Sequence, residues 1–262
     1  GWHVWPNKPV LVVSYEEAWL RRTAPKGISY LPFDLDVQRA LKLAERLQPQ
    51  ARRLVIVSGV TAFEAYWARR TLESAKQSGT RRWQPEIWLG LPMDEMQRKL
   101  SALDGSTAVI FTSMVRDSTG RGLFSAEAVK PMVAASGAPL YGWYPPYLGQ
   151  GLMAGSIFDF EQNGRRAAEH IAAVLAKRES PGSELQPTGS RCRINVTRAQ
   201  VLGIDLKLAP ADCIFSNYAP SLWRDYRTTV IAAAALMTLQ FLTIAALVYQ
   251  RQRRRQAESE AQ

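Results

Sequence analysis

Three stretches of the chain bring together side chains able to hold a small organic molecule. Ser58-Gly59-Val60-Thr61 offers two hydroxyls around a glycine. "SMVRDSTGRGLF" (113–124) offers Ser113, Arg116, Asp117, Ser118 and Arg121, with glycines at 120 and 122. "WYPPYLGQG" (143–151) offers Trp143, Tyr144 and Tyr147 between prolines and glycines. The chemistry of such a set is recognition: rings pack on the body of a ligand while charges and hydroxyls orient it. Ser58, Thr61, Ser113, Arg116, Asp117, Tyr144 and Tyr147 are therefore the candidate ligand-binding residues. Each has a purely structural alternative. Arg116 and Asp117 could pair to stabilise their own loop, Tyr144 and Tyr147 could pack a hinge, and Thr61 reads more readily as a helix N-cap than as a ligand contact.

Bond-breaking chemistry finds little support in the same sequence. Ser58 and Ser113 stand near strand ends, yet there is no G-x-S-x-G elbow. The histidines are His3 and His170, and His170 falls mid-helix beside an apolar stripe, as a packed or surface histidine does. Two histidines and two cysteines without metal spacing make no zinc cluster, so no catalytic residue, metal or cofactor is expected. Cys192 and Cys213 can bond only in an oxidising compartment and only if their flanking strands are neighbours. The net charge of +10 is scattered as doublets such as Arg52-Arg53 and Arg165-Arg166, the pattern of solvated helix ends, and no nucleic-acid partner is expected.

The elements that must position the three loops alternate. "KPVLVVS" (8–14), "RLVIVSG" (53–59), "PEIWLGL" (85–91), "TAVIFTS" (107–113) and "APLYGWY" (138–144) read as buried strands. Helices are expected in "DLDVQRALKLAERLQ" (34–48), where Val37, Ala40, Leu41, Ala44 and Leu47 share a face and Asp34 or Asp36 is the N-cap, and over about 61–76, 93–103 and 125–136. The stretch containing Pro25, Gly27 and Pro32 reads as a loop. "GLMAGSIFDF" reads as the entry to a long helix whose face carries Phe160, Gly164, Ala167, Ala168, Ile171, Val174 and Leu175. "RCRINV" (191–196), a short helix near 197–202 and "ADCIFSN" (211–217) complete this part. Strands alternating with helices imply a parallel α/β sheet covered on both faces, with ligands at the carboxyl ends of the strands.

Residues 229–249 carry no charge, and Gln240 is their one strongly polar side chain. About 20 residues at 1.5 Å each cross a hydrocarbon core of roughly 30 Å. A transmembrane helix is expected over 220–250 including its flanks, with Trp223, Tyr226 and Tyr249 at the interfaces. Arg251, Arg253, Arg254 and Arg255 outweigh the mixed set Arg224, Asp225 and Arg227, which places the C-terminus in the cytoplasm and residues 1–219 outside. Gln240 can bond a second copy of the helix, favouring a homodimer, or its own backbone. Residues 251–262 read as the opening of a cytoplasmic signalling helix.

With "FDLDVQRALKLAERLQPQARRLVIVSGVTAFEAYW", "TAVIFTSMVRDSTGRGLF" and "APLYGWYPPYLGQGLMAGSIFDFEQNGRRAAEHIAAVL", followed by "PSLWRDYR" and one span, nearly the whole chain resembles the ABC-transporter substrate-binding-protein-like sensor domain of bacterial membrane-bound sensor histidine kinases. The resemblance implies a type I periplasmic-binding-protein fold of two Rossmann-like lobes, with 8–34 and 152–180 in the first and 36–150 and 190–217 in the second. It assigns the ligand to Arg116, Asp117, Gly120 and Arg121 and to Tyr147, Leu148, Gly149 and Gly151. The family's small polar loop is replaced here by Trp143-Tyr144-Pro145-Pro146, which leaves the ligand's identity open. Family members carry about another half-lobe before 8–14, so the chain is expected to be an excerpt with an incomplete first lobe.

The function expected is an extracytoplasmic small-molecule sensor in a single-pass protein of a bacterial inner membrane. Its histidine kinase would follow residue 262 and act on a response regulator. The alternative is a membrane-tethered ABC-transporter substrate-binding protein; an enzyme is not expected within this chain.

Overall fold

Side chains at a period of two decide which face of the sheet each residue serves. In β3 (Arg53–Ser58), Leu54 and Ile56 enter one apolar core while Val55 and Val57 enter another, all fully buried. β5 (Thr107–Phe111) repeats the division, with Ala108 and Ile110 on the first side and Val109 and Phe111 on the second. A strand buried on both faces needs helices on both. α1 (Val37–Leu47) and α2 (Ala62–Gln77) fill the first core through Leu41, Leu47 and Trp67. α3 (Met93–Ser101) and α4 (Ser125–Ala135) fill the second through Met96, Leu100, Val129 and Met132. Asp36 is the N-cap of α1, its carboxylate accepting the Arg39 N–H at 2.9 Å.

The computed structural model describes residues 8–14, 22, 25–33, 35–77, 83–217 and 226–260, with 252–260 described by backbone alone. With β4 (Gln84–Leu89), β6 (Leu140–Gly142), β7 (Ala154–Phe158), β8 (Ser190–Asn195) and β9 (Ile214–Ser216), the large sheet has the order β4-β3-β5-β6-β7-β8-β9. Every pairing is parallel except β7 with β8. Two short helices, α5 (Pro145–Gly149) and α7 (Val196–Val201), lie in the connections.

β7 corrects the sequence reading twice. The stretch expected to enter a helix is a fully buried strand as far as Phe158, and the helix starts only at Phe160, where Asp159 caps it. Glycine hid this strand. Gly155 lies opposite Gly142, and a Cβ there would stand 1.8 Å from the Gly142 carbonyl oxygen, so the close approach of β6 and β7 needs a residue that propensity counts against strands. Residues 154–158, expected in the first lobe, thus belong to the large sheet.

A second, two-stranded parallel sheet joins β1 (Val10–Ser14) to β2 (Ile28–Pro32), the latter lying in the stretch read as loop. Pro25 and Gly27 turn the chain just before it, with Ile28 N–H donating to the Pro25 carbonyl. On its other edge β2 meets Ser183–Leu185, through Tyr30 N–H to Ser183 and Leu185 N–H to Tyr30. α6 (Phe160–Leu175) belongs with this sheet: His170 Nε2 lies 2.8 Å from Ser29 Oγ, and its Nδ1 lies 2.7 Å from Glu179. The apolar stripe of α6 exists but stays largely open among the described residues, with Phe160, Ile171 and Leu175 exposed. Two strands offer too little surface to cover it.

The Arg193–Ile214 register makes β8 and β9 neighbours, and Cys192 and Cys213 form a disulfide with Cα atoms 4.5 Å apart.

The chain divides into two units, Gly1–Tyr218 and Ala219–Gln262. In the second, α8 (Arg227–Glu260) runs unbroken, and its 25-residue segment Arg227–Arg251 is long and apolar enough to cross a membrane. Leu236, Phe241, Leu242 and Ile244 are exposed, unlike the side chains of a core helix. Thr238 and Thr243 donate to the carbonyls four residues back, which satisfies both hydroxyls within the helix. Tyr226 and Tyr249 are exposed, while Trp223, Arg224 and Asp225 lie outside the described residues.

Candidate ligand site

Because β3, β5 and β6 are adjacent and parallel, the loops that leave their carboxyl ends share one edge of the sheet. The link between the first two is a residue the sequence reading passed over. Glu64, in the first turn of α2, is fully buried. Its carboxylate accepts the Thr61 N–H at 2.9 Å, the Thr61 hydroxyl at 2.7 Å and the Val115 N–H. Thr61 Oγ1 in turn accepts the Glu64 N–H at 3.3 Å, so Thr61-x-x-Glu64 is a capping box whose glutamate also holds the neighbouring loop. Gly59 is required beside it, since a Cβ there would sit 2.4 Å from the carboxylate. Gly59 N–H to Ser113, Val60 N–H to Arg116 and Ser118 N–H to Gly90 zip the loops together through the backbone.

Ser58 is consumed in this framework. Its hydroxyl donates to the Glu64 carbonyl at 3.0 Å and accepts from Thr112 at 2.6 Å. Asp117 is also spent locally: one carboxylate oxygen accepts the Thr119 hydroxyl at 2.6 Å and the N–H groups of Thr119 and Arg121 at 3.0 Å. The Thr119 hydroxyl above all holds the Asp117 carboxyl below the usual carboxylate range, against the opposing effect of burial. Arg116 is not its partner. The Arg116 guanidinium is exposed and makes no ion pair among the described residues, while the Ser113 hydroxyl is buried with no hydrogen-bond partner among them.

The third loop is aromatic. Tyr147 is buried against Phe111, with ring centres 5.1 Å apart, and its hydroxyl meets Ser125 Oγ at 2.7 Å. Ser125 Oγ also accepts the Met114 N–H at 2.9 Å, which ties this loop to the one leaving β5. Burial pushes the Tyr147 phenol up to about 12, with the Ser125 hydrogen bond working the other way.

Tyr144 is only partly buried. Its ring stacks at 17° on Phe160, 6.3 Å away, and at 19° on Phe33, 6.5 Å away. Phe33 and Phe160 are themselves 5.9 Å apart, and Phe160 remains 50% exposed. Phe33 follows β2 and Phe160 follows β7, on the two connections that pass between the sheets, so three rings gather where the lobes join.

The structure therefore separates the seven candidate residues. Ser58, Thr61 and Asp117 hold loops, Tyr147 is a buried strut, and Tyr144 packs on Phe33 and Phe160. The Ser113 hydroxyl and the Arg116 guanidinium make no hydrogen bond and no ion pair, respectively, among the described residues. Glu64, Ser125, Phe33 and Phe160 complete the arrangement. The T-x-x-E spacing was a legible signal for Glu64, whereas Phe33 and Phe160 flank strands that the sequence reading did not place. No group of three or more His, Cys, Asp or Glu side chains able to hold a metal occurs among the described residues. A 660 Å³ cavity opens beside α6 and residues 178–186, lined in part by Arg166, His170 and Glu184, and shares no lining residue with the three loops.

No family model matches the chain, and no curated protein sequence does. Solved structures do. A conserved domain protein of Vibrio cholerae superposes with a TM-score of 0.54 at 19% identity, over 80% of this chain and 78% of that one. An ABC domain from Streptococcus pneumoniae, in complex with L-Trp, gives 0.53 at 16%, over 80% and 79%. A ligand-free, open substrate-binding protein with adhesive properties from Clostridium difficile gives 0.57 at 13%, over 80% and 78%. At these identities the likeness establishes the fold alone, which is that of type I periplasmic-binding proteins.

Proposed function

We propose that the α/β unit is the extracytoplasmic sensor of a single-pass, membrane-anchored signalling receptor. It binds a small ligand with a planar apolar body and an anionic group. The rings of Phe33, Tyr144 and Phe160 supply the apolar contact, and Arg116, on the neighbouring loop, supplies the charge. A stacked aromatic body adds about 0.5–1.5 kcal/mol per ring beyond the area it buries. The relative from Streptococcus pneumoniae, crystallised with L-Trp, supports an aromatic amino acid as the first compound to test.

The observation that carries the signalling reading is the continuity of α8 from Arg227 to Glu260. A tether can end once it has crossed the bilayer. A helix that continues through an arginine cluster couples what lies on either side, with Arg251 and Arg253–Arg255 on the cytoplasmic face. In this reading, ligand closure shifts the span within a homodimer, with Gln240 as the polar contact, and a histidine kinase beyond residue 262 passes the signal to a response regulator. The energy available equals the difference in ligand affinity between the open and closed forms. The Clostridium difficile substrate-binding protein favours a second reading, delivery to a permease, in which ligand binding leaves the far side of the span unchanged.

The test is a thermal-shift screen of L-Trp, L-Tyr, L-Phe and aromatic carboxylic acids on the intact chain in nanodiscs. A hit is expected to weaken at least tenfold in Tyr144→Ala and in Arg116→Ala. Full response in both variants overturns the site.

A further inference from the structure

The carbonyl oxygen of Leu148 collects donors from three directions. Gly151 N–H reaches it at 3.1 Å within the turn that ends α5, Asn217 Nδ2 at 2.9 Å, and Asn195 Nδ2 at 3.4 Å. A carbonyl has two lone pairs, so this acceptor is saturated. Leu148 directly follows the strut Tyr147, and Asn217 directly follows β9, two residues before the unit that contains the membrane segment begins at Ala219.

Asn217 is held at both of its ends. Its carbonyl accepts from the Thr197 N–H at 3.2 Å and from the Thr197 hydroxyl at 2.5 Å, and its side chain reaches Leu148. The backbone there is left-handed, with φ of 52°, a conformation that asparagine tolerates better than most residues. At the other end of β9, the disulfide to Cys192 fixes Cys213 to β8. The strand is thus bolted at its start and latched at its finish, and the latch is made to the ligand loop.

We infer that Asn217 is a positioning residue that couples the 143–151 loop to the segment leading into the membrane helix. Movement of Tyr144 and Tyr147 carries Leu148 with it, and the Leu148 carbonyl either keeps or releases Asn217. Release frees the end of β9 from the body of the domain. The inference rests on the sensor reading for its purpose, but the coupling itself is a property of the ligand-free protein.

Coupling is reciprocal, so it can be read from either side. The experiment is amide hydrogen exchange on the full chain in nanodiscs, comparing wild type with Asn217→Gly and Tyr147→Phe. Asn217→Gly removes the side chain and relieves the left-handed backbone, so it tests the latch without adding strain. It is expected to speed exchange at Gly151 and Leu152 by about 2- to 10-fold, the range of a single lost hydrogen bond, while β3 and β5 are unchanged. Tyr147→Phe is expected to speed exchange at Ser216 and Asn217. Asn217→Asp, which keeps the size and the left-handed tolerance but loses the donor, should behave as Asn217→Gly does.

If Asn217→Gly alters only residues 216–218, or if Asn217→Asp matches wild type, no latch exists and the inference is overturned. Exchange coupling without any response in the ligand screen upholds the latch and removes only the sensor reading.

Discussion

The loops leaving β5 and β6 stand side by side on one sheet edge and use their polar groups in opposite ways. Between 113 and 121 position comes from hydrogen bonds: the Asp117 carboxylate accepts from Thr119 and Arg121, and the Val115 N–H donates to Glu64. Ser113, Met114 and Asp117 are buried there, while Val115, Arg116, Ser118, Thr119 and Arg121 are exposed. Between 143 and 147 the backbone bonds are few, and position comes from rings packed against Phe111, Phe33 and Phe160. A hydrogen-bonded loop is directional and gives up rigidity one bond at a time. A ring-packed loop is non-directional and can slide on its neighbours at small cost. In the proposed sensor, the first would hold a charge such as Arg116 in place, and the second would adapt to a ligand.

The strongest way to break this comparison is to remove the anchor of the polar loop. Glu64→Ala leaves the Val115 and Thr61 N–H groups without their carboxylate in a buried place. At about 1–3 kcal/mol per orphaned group, the loss should be about 3 kcal/mol or more by denaturant unfolding. Glu64→Gln keeps an acceptor and should recover part of this. Gly59→Ala drives a methyl toward the same carboxylate and should mimic the milder variant. If Glu64→Ala unfolds at the wild-type midpoint, the polar loop does not depend on Glu64.

Tyr147 tests the aromatic side. Its phenol is held neutral by burial, so its folded value of about 12 lies above the unfolded value near 10. A raised value favours the protonated form in the native state. The stabilisation is therefore complete below about pH 10 and is lost as pH rises through about 12, in total roughly 2–3 kcal/mol. Tyr147→Phe abolishes that alkaline loss and gives up the Ser125 hydrogen bond, about 1 kcal/mol at neutral pH. Urea melts at pH 8 and pH 11 read both effects, and a wild-type midpoint that does not fall between them contradicts the buried strut.

How much of this was legible depended on what kind of signal each residue gave. The parallel sheet was visible because strands such as "RLVIVS" and "TAVIF" are apolar on both faces. The placing of the three loops at the carboxyl ends of its strands followed from it, whereas their adjacency came only with the strand order. β7 and β2 were not visible: "AGSIF" carries a glycine that only the facing Gly142 explains, and "ISYLP" lies between turn residues. Missing those strands also hid Phe33 and Phe160, since neither could be assigned to a strand end. Thr61 announced itself as a cap, but that Glu64 would also reach Val115, 51 residues away, is a long-range fact no local pattern carries. The neighbouring of Cys192 and Cys213 was stated as the condition for a disulfide, and the β8–β9 register meets it.

The smallest effect belongs to Asp117, and it sharpens the comparison by its pH dependence. The carboxyl is held below the ordinary range chiefly by the Thr119 hydroxyl, with the N–H groups of Arg121 and Thr119 adding to it. A lowered value favours the ionised form in the native state. Its contribution is therefore present above about pH 4 and fades as pH falls through the lower folded value. Asp117→Asn keeps an oxygen that can accept the same three donors, so its melting temperature at pH 7 should stay within about 2 °C of wild type. On acidification the wild type should lose a component of stability that the variant lacks, and the two melting curves should converge as pH falls below about 4. Thr119→Val, which removes the main cause of the shift while leaving the carboxylate, should move that convergence toward higher pH. Failure of Thr119→Val to do so would mean that the loop is ordered by its backbone alone, and the contrast between a hydrogen-bonded and a ring-packed loop would narrow to Glu64.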